Sequence, residues 1–448
     1  MKILMLSWEF PPKVVGGIAP HVHDLSLSLL EKGQEVSVLT IGTSEAVEKE
    51  KMNGVKVYRV KPSNPSPPDF LTWVLQFNLN LAEKAITLSQ AGIEFDLIHA
   101  HDWLVAYAGK LLKHALNKPL VATIHATEWG RNNGLHNDLQ RYISDVEWWL
   151  AFEAWRVICC SRYMFAELQT IFQVPKDKLR IIPNGVYPEL FRKKPENADL
   201  IRNQFAAPNE KVVFYIGRLV FEKGLDLLLE VATKILSVDD QVKFVIAGKG
   251  PYAENLQNKA RQLGIYHKVY FTGYIDDLTR NALFSTADVA VFPSLYEPFG
   301  IVALEAMAAG TPVVVSDTGG LGEVVRHGKN GLKALTNNSD SLADNILWML
   351  SYPEHAKAMK EQAYRDLETE YNWGKIAEQT AEVYQEVENE YLKSFWSQPY
   401  NEKRYQDDGL KRERLMEANT FSRYTPGETA TIKEYRNSAA QELQPTRE

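Results

Sequence analysis

Cysteine is nearly absent from this chain: Cys159 and Cys160 are the only two, and they are adjacent. A disulfide framework is therefore excluded, and a reducing compartment fits. The pair sits in the strand-like run VICCS with no partner at a spacing suited to metal binding or thiol catalysis, so both read as core residues. Long apolar runs are lacking too, and none approaches the ~20 residues needed to cross a bilayer. The opening MKILMLSWEFPP has an apolar stretch that ends at Trp8 and Glu9. That is too short for a signal-peptide core and reads as a first buried strand. A cytoplasmic protein is expected, and nothing in the sequence supports contact with a membrane. An excess of basic charge is also missing: 50 Lys and Arg face 57 Asp and Glu, a net charge of −7. That balance argues against a nucleic-acid partner. It leaves anionic small molecules open, because a few local cations suffice for those.

What is present is a globular composition, 45% hydrophobic and 24% charged, over 448 residues. That length is too great for one ordinary core and predicts two domains plus extensions. Short apolar runs alternate with longer amphipathic ones as far as about residue 392. In the first half they are ILMLSW, EVSVLTIG, DLIHAH, PLVATIH, RVICCS and RIIPNG, with helical patterns such as Ile18 to Glu31 and Asn137 to Trp155 between them. In the second half they are KVVFYIG, KFVIAG, KVYFTG, VAVFPS and PVVVSD. Strands with almost no polar alternation are buried on both faces, as in a parallel sheet covered by helices. The run PNGVYPELFRKKPENADL, rich in turn formers and charge, places a hinge near residues 185 to 205. Each half then holds about six strands, enough for its own doubly wound α/β domain, with ligands expected outside the carboxyl ends of the strands. The active site is expected in the cleft between the two. From residue 395 to 448 the charge is mixed and periodicity is lost, which reads as a disordered tail.

The segment SLYEPFGIVALEAMAAGTPVVVSD carries the most chemistry. Pro298 suits the first helical position and Gly310 the end of the helix, so Glu297 is expected at its start and Glu305 inside it. Eight residues make about 2.2 turns, which puts both carboxylates on one face. The amides of Phe299, Gly300 and Ile301 are then expected to be unpaired and able to donate to an anion or a sugar hydroxyl. Arg218 and Lys223 follow the strand KVVFYIG, a basic pair at a strand end before Gly224. Gly16 and Gly17 stand between the first strand and the first helix, where glycine lets the backbone approach a phosphate. HAHDW places His99 and His101 near a strand end. A surface helix with two solvated glutamates is the blander account of the first segment, and burial demanded by Phe299, Ile301, Val302 and Leu304 weighs against it.

This pattern resembles the family 4 (group 1) retaining glycosyltransferases of the GT-B fold, over roughly residues 1 to 392. WEFPPKVVGGI, HAHDW, PNGV, GRLVFEKG and TGGLGEVV stand in the family order. The resemblance implies an N-terminal acceptor-side Rossmann-like domain at 1–190, a nucleotide-sugar domain at 200–370 and a helix at 371–392 that crosses back onto the first. It implies that Glu297 contacts the donor sugar, Glu305 the ribose, and Arg218 and Lys223 the diphosphate leaving group. His101 contacts the reacting centre, with His99 as the fallback. His125 and Glu128 in IHATEWGR either line the acceptor side or are structural, while Asp102 and His21 carry no assigned role. Transfer with retention is implied, without cofactor or metal ion, from a nucleotide-sugar donor to a glycan or other hydroxyl acceptor. The opening motif looks like the glycogen and starch synthase branch, with an α-glucan as acceptor and ADP or UDP unresolved. Two positions depart from that branch: Lys13 is separated from the Gly-Gly pair by Val14 and Val15, one residue more than the Lys-x-Gly-Gly form has, and Tyr187 stands where aspartate is common. A lipid, a cell-surface polysaccharide or a small metabolite is the alternative acceptor. The rival classes are a sugar-nucleotide epimerase of the same fold and a nicotinamide dehydrogenase. The nearest dehydrogenase fingerprint, AGKGPYAENL, has no third glycine in phase.

Overall fold

The computed structural model describes residues 1–42, 48–61, 63–64 and 66–397. Met1–Leu392 form one compact unit. A second unit begins at Lys393, of which a single 3-10 turn, Phe395–Ser397, is described. The tail expected from residue 395 lies, beyond Ser397, outside the described residues.

Eight strands form the first sheet: β1 (Lys2–Leu6), β2 (Glu35–Ile41), β3 (Lys49–Met52), β4 (Val55–Val60), β5 (Leu97–His101), β6 (Leu120–Ile124), β7 (Arg156–Cys159) and β8 (Leu179–Ile181). Their order is β3-β4-β2-β1-β5-β6-β7-β8, parallel except for the β3–β4 pair. Six strands form the second: β9 (Lys211–Ile216), β10 (Val242–Ala247), β11 (Val269–Gly273), β12 (Val289–Phe292), β13 (Val313–Ser316) and β14 (Leu332–Ala334), ordered β11-β10-β9-β12-β13-β14 and all parallel. The central strands are buried along almost their whole length, as their unbroken apolar runs require.

The count of about six strands per half holds for the second sheet and falls short for the first. β3 reads KEKM and has no apolar signal. In β4 the run is broken by Lys56 and by Arg59, which is buried and tolerated because its guanidinium bonds Glu50 at 2.6 Å and the Pro11 carbonyl. The first helix, Ile18–Glu31, has the bounds its periodicity predicts. The helix Asp138–Glu153 is capped by the Asn137 side chain on the Gln140 amide.

The helix Trp373–Lys393 lies against the first sheet, although it follows the second in sequence. Its Ile376, Ala377, Val383, Tyr384 and Val387 share a core cluster with Ile3 and Met5 of β1 and Val22, Leu25 and Leu29 of the first helix. Glu386 on it pairs with Arg156 and Arg180, and Tyr384 Oη bonds His99 Nδ1 at 2.7 Å. The chain thus crosses back, as the family resemblance implies.

Candidate functional site

Each sheet has one point where its strand order reverses. In the first, β1 is flanked by β2 and β5; in the second, β9 is flanked by β10 and β12. Helices leave opposite faces on either side of such a point, so the loops at the strand ends part and leave a crevice for a ligand. The predicted residues collect at these two points. The loop after β1 carries Gly16 and Gly17, and β5 ends in His101. The loop after β9 carries Arg218 and Lys223, and the loop after β12 carries Glu297.

On the second sheet the charged groups pair with one another. Lys223 Nζ lies 2.6 Å from Glu297 Oε2, and Ser294 Oγ donates to the same oxygen at 3.3 Å. Both side chains of the Lys223–Glu297 pair are largely shielded, at 18% and 12% exposure. Arg218 is half exposed and leans on Glu222 at 3.5 Å. Glu305 is half-buried, and desolvation holds its carboxyl above the usual range against the pull of Arg280.

The helix expected from Pro298 begins at Ile301. Three residues of loop precede it, so Glu297 is not on a helical face with Glu305, and the Phe299 amide is not part of a helix start. The cause is long-range. Gly300 is left-handed at φ +99° and caps the helix. The Pro298 carbonyl accepts from Ser161 Oγ at 2.7 Å, and the Glu297 carbonyl accepts from the Gly320 amide at 3.0 Å. Gly319, also left-handed, presses so close that a Cβ there would meet the Glu297 carbonyl oxygen at 2.1 Å. This backbone contact is what the glycines of TGGLGEVV provide. Phe299 is buried, whereas Ile301 and Val302 are only half-buried.

The Gly16–Gly17 loop is also arranged differently from the expectation. Its Gly16 amide is already taken: the buried Glu9 carboxylate accepts from Val15 at 2.5 Å, Gly16 at 3.1 Å and Ala19 at 3.3 Å. Burial raises the Glu9 pKa against those three donors. Gly17 supplies close approach instead, with Ile301 Cδ1 only 3.3 Å from where its Cβ would stand. The loop after β1 therefore touches the start of the Ile301 helix across the cleft. Lys13 projects elsewhere, over the rings of Trp8 and Trp73 at 5.3 and 5.8 Å, in a crevice shared with Pro67, Asp69 and Phe70.

The first sheet's crevice is lined by uncharged imidazoles. His101 is fully buried, its Nδ1 lies 3.2 Å from His125 Nε2, and its ring packs against His99 at 4.2 Å. His21, on the first turn of the first helix, stands edge-on to His125 at 4.6 Å. Burial lowers the pKa of all four, that of His125 to about 3. His99 is tied into the core by Tyr384 and Thr123, both at 2.7 Å, so of the two histidines on β5 it is His101 that keeps an unbonded nitrogen, Nε2.

Several residues of the site carry no motif signal of their own. Asp102 adopts φ +62°, uncommon outside glycine, and its carboxylate accepts the His125 amide at 2.7 Å. Burial raises its pKa to about 6, opposed by Arg131. Glu147 accepts the Glu128 amide with both oxygens at 3.0 Å, so Glu128 is held as part of this framework. Tyr296, next to Glu297, crosses to the first sheet's side, donating to Glu167 at 3.1 Å and accepting the Thr127 amide at 3.3 Å. Gly130 makes room for it, since a Cβ there would lie 2.4 Å from the Tyr296 ring. Glu323, from TGGLGEVV, caps the helix Arg162–Phe172 by accepting the Arg162 and Tyr163 amides at 3.0 and 2.8 Å. The only foreshadowing was adjacency: Asp102 to His101, Tyr296 to Glu297, Glu323 within a quoted motif.

Comparison with known proteins gives the same reading. Residues 15–190 match the model for Glycosyltransferase Family 4, and 197–366 that for Glycosyl transferases group 1. An uncharacterised glycosyltransferase of Methanocaldococcus jannaschii is 40% identical, covering 86% of this chain and 98% of its own. A glycogen synthase of Mycobacterium tuberculosis is 34% identical, covering 86% and 94%. Among solved structures, the sucrose-phosphate synthase of Thermosynechococcus elongatus superposes with a TM-score of 0.75 at 26% identity, over 86% of this chain and 98% of that one. The two facing sheets with their exchanged last helix are the GT-B fold, and the chain belongs to the group 1, family 4 glycosyltransferases.

Proposed function

We propose that the protein transfers a hexose, glucose in the first instance, from a nucleoside diphosphate sugar to a hydroxyl of an α-1,4-glucan, with retention of configuration and without a metal ion. The observation that carries this reading is the Lys223–Glu297 pair beside Arg218 at the second sheet's reversal point, facing the loop that carries Gly17. A nucleoside diphosphate arriving there replaces Glu297 and Glu222 as the partner of the two cations. Its charge grows as the glycosidic bond breaks, so Lys223 and Arg218 stabilise the transition state more than the ground state. Glu297, released from Lys223, accepts from sugar hydroxyls, and Glu305 from those of the ribose. The amides of Gly300 and Ile301 stand where the donor's oxygens would meet them.

No side chain is required as nucleophile. The leaving phosphate takes the proton of the acceptor hydroxyl on the same face, and His101 positions the reacting centre. The rest is orientation and exclusion of water between the domains. Residues 1–190 then serve the acceptor and 200–370 the donor. Support for a glucan comes from the 34% identity to a glycogen synthase. It comes too from the crevice at the end of β1, where Phe70 and Trp73 stack at 5.9 Å beside Trp8. Flat aromatic faces with a cation nearby suit the apolar face of a pyranose ring.

The test is an incubation matrix of ADP-, UDP- and GDP-sugars against glycogen, short maltooligosaccharides, small sugar phosphates and a lipid extract. Nucleotide release that requires a glucan acceptor, with product carrying the donor's anomeric configuration, is expected. Release with another acceptor class alone reassigns the acceptor. Isomerised donor without acceptor consumption overturns transfer.

A further inference from the structure

We infer that His21, His101 and His125 form a three-imidazole site for a borderline divalent metal ion of the Zn2+ class, which blocks the acceptor side of the cleft reversibly. One ring nitrogen from each lies within 4.8 Å of the other two. The closest pair, His101 Nδ1 and His125 Nε2, are 3.2 Å apart. Two nitrogens on a tetrahedral Zn2+ at ~2.0–2.1 Å stand about 3.3–3.4 Å from each other, so that pair needs almost no movement. His21 closes the set by a side-chain shift of an ångström or so.

The site is also unsatisfied as it stands. Neither ring nitrogen of His21 has a hydrogen-bond partner in good geometry, although the residue is buried. Asn184 is a polar neighbour of His21. Buried polar atoms without partners are costly and mark a place built for an occupant. The three rings come from rigid elements: the first helix, the end of β5 and the residue after β6. Three imidazoles with one open position are a ligand set that suits Zn2+, Cu2+ or Ni2+ and is poor for Mg2+ or Ca2+. His125 is half-buried and gives the ion its route from the cleft. The ion would hold the imidazole that the transfer reaction uses, so it acts as an inhibitor and not as a cofactor. Inhibition rests on the proposed function; binding does not.

The test is titration of the full chain with Co2+, followed by Zn2+, in a buffer without chelating components. One Co2+ per chain is expected, with the visible spectrum of a four-coordinate cobalt site, displaced by Zn2+ and removed by EDTA. His21→Gln and His125→Gln should each weaken binding at least tenfold, while His267→Gln, on the surface, leaves it unchanged. His125→Cys should keep a saturable site, since a thiolate replaces the imidazole, and that variant guards against simple misfolding of the others. Absence of stoichiometric binding to the wild type, or undiminished binding in both glutamine variants, overturns the proposal. Zn2+ inhibition of transfer, reversed by EDTA, is the expected functional consequence. Lack of any transferase activity would count against the proposed function and leave the cobalt result to judge the site.

Discussion

The two faces of the cleft solve opposite electrostatic problems. On the second sheet's side the groups are charged and hold one another in check: Lys223 against Glu297, Arg218 against Glu222. On the first sheet's side the groups are imidazoles held neutral by burial, with Asp102 and Arg131 set behind them. The first arrangement suits a ligand that brings its own charge, because a diphosphate can take over the two cations while sugar hydroxyls donate to the released Glu297 carboxylate. The second suits hydroxyls, which want oriented donors and acceptors but would be poorly served by a fixed charge. Tyr296 ties the two together, standing next to Glu297 and bonding Glu167 and the Thr127 amide on the first sheet's side.

The contrast can be broken most severely from the charged side. Lys223→Ala or Arg218→Ala should lower acceptor-dependent nucleotide release at least a hundredfold, from a loss of ~3 kcal/mol of transition-state stabilisation. Lys223→Ala also leaves the shielded Glu297 carboxylate without its cation, so that variant should be the worse of the two. Cutting the tie comes next. Tyr296→Phe deprives Glu167 and the Thr127 amide of a buried partner, which costs about 1–3 kcal/mol. The melting temperature should fall, and KM for the donor should rise more than kcat falls.

Much of this arrangement could be read from residues alone, and the reason is local. Uninterrupted apolar runs report two-faced burial, and the 3.6 period of Ile18–Glu31 gives that helix its bounds to the residue. Arg218, Lys223 and Glu297 are legible because each follows a strand. What stayed hidden depends on distant chain. The delayed helix start at Ile301 follows from Gly319 and Gly320 pressing on the Glu297 and Pro298 backbone. The occupation of the Gly16 amide follows from Glu9 folding back beneath the loop. β3 has a single apolar residue, Met52, too little to reveal a strand, since both its faces are at least partly exposed.

The uncharged side is tested by smaller effects. Trp73→Ala should raise KM for a glucan about three- to tenfold, the loss of one aromatic contact at ~1 kcal/mol, and leave KM for the donor unchanged. Stability should also reveal the neutral histidines. His99 has its pKa lowered by burial, so the unfolded chain binds a proton below about 6.5 that the folded chain refuses. Its contribution is present above that pH and is lost as pH falls. Asp102, raised to about 6, acts in the opposite sense, so the informative quantity is a difference between variants. Between pH 7.5 and 5.5 the wild type should lose ~1 kcal/mol more stability than His99→Gln, read from paired denaturant titrations.

The division of labour across the cleft is tested most directly by calorimetric titration of UDP and ADP into the wild type, Lys223→Ala and His101→Ala. A diphosphate held by the second sheet's cations predicts binding at least tenfold weaker in Lys223→Ala and within threefold of wild type in His101→Ala. Equal losses in the two variants, or an unaffected Lys223→Ala, would contradict it.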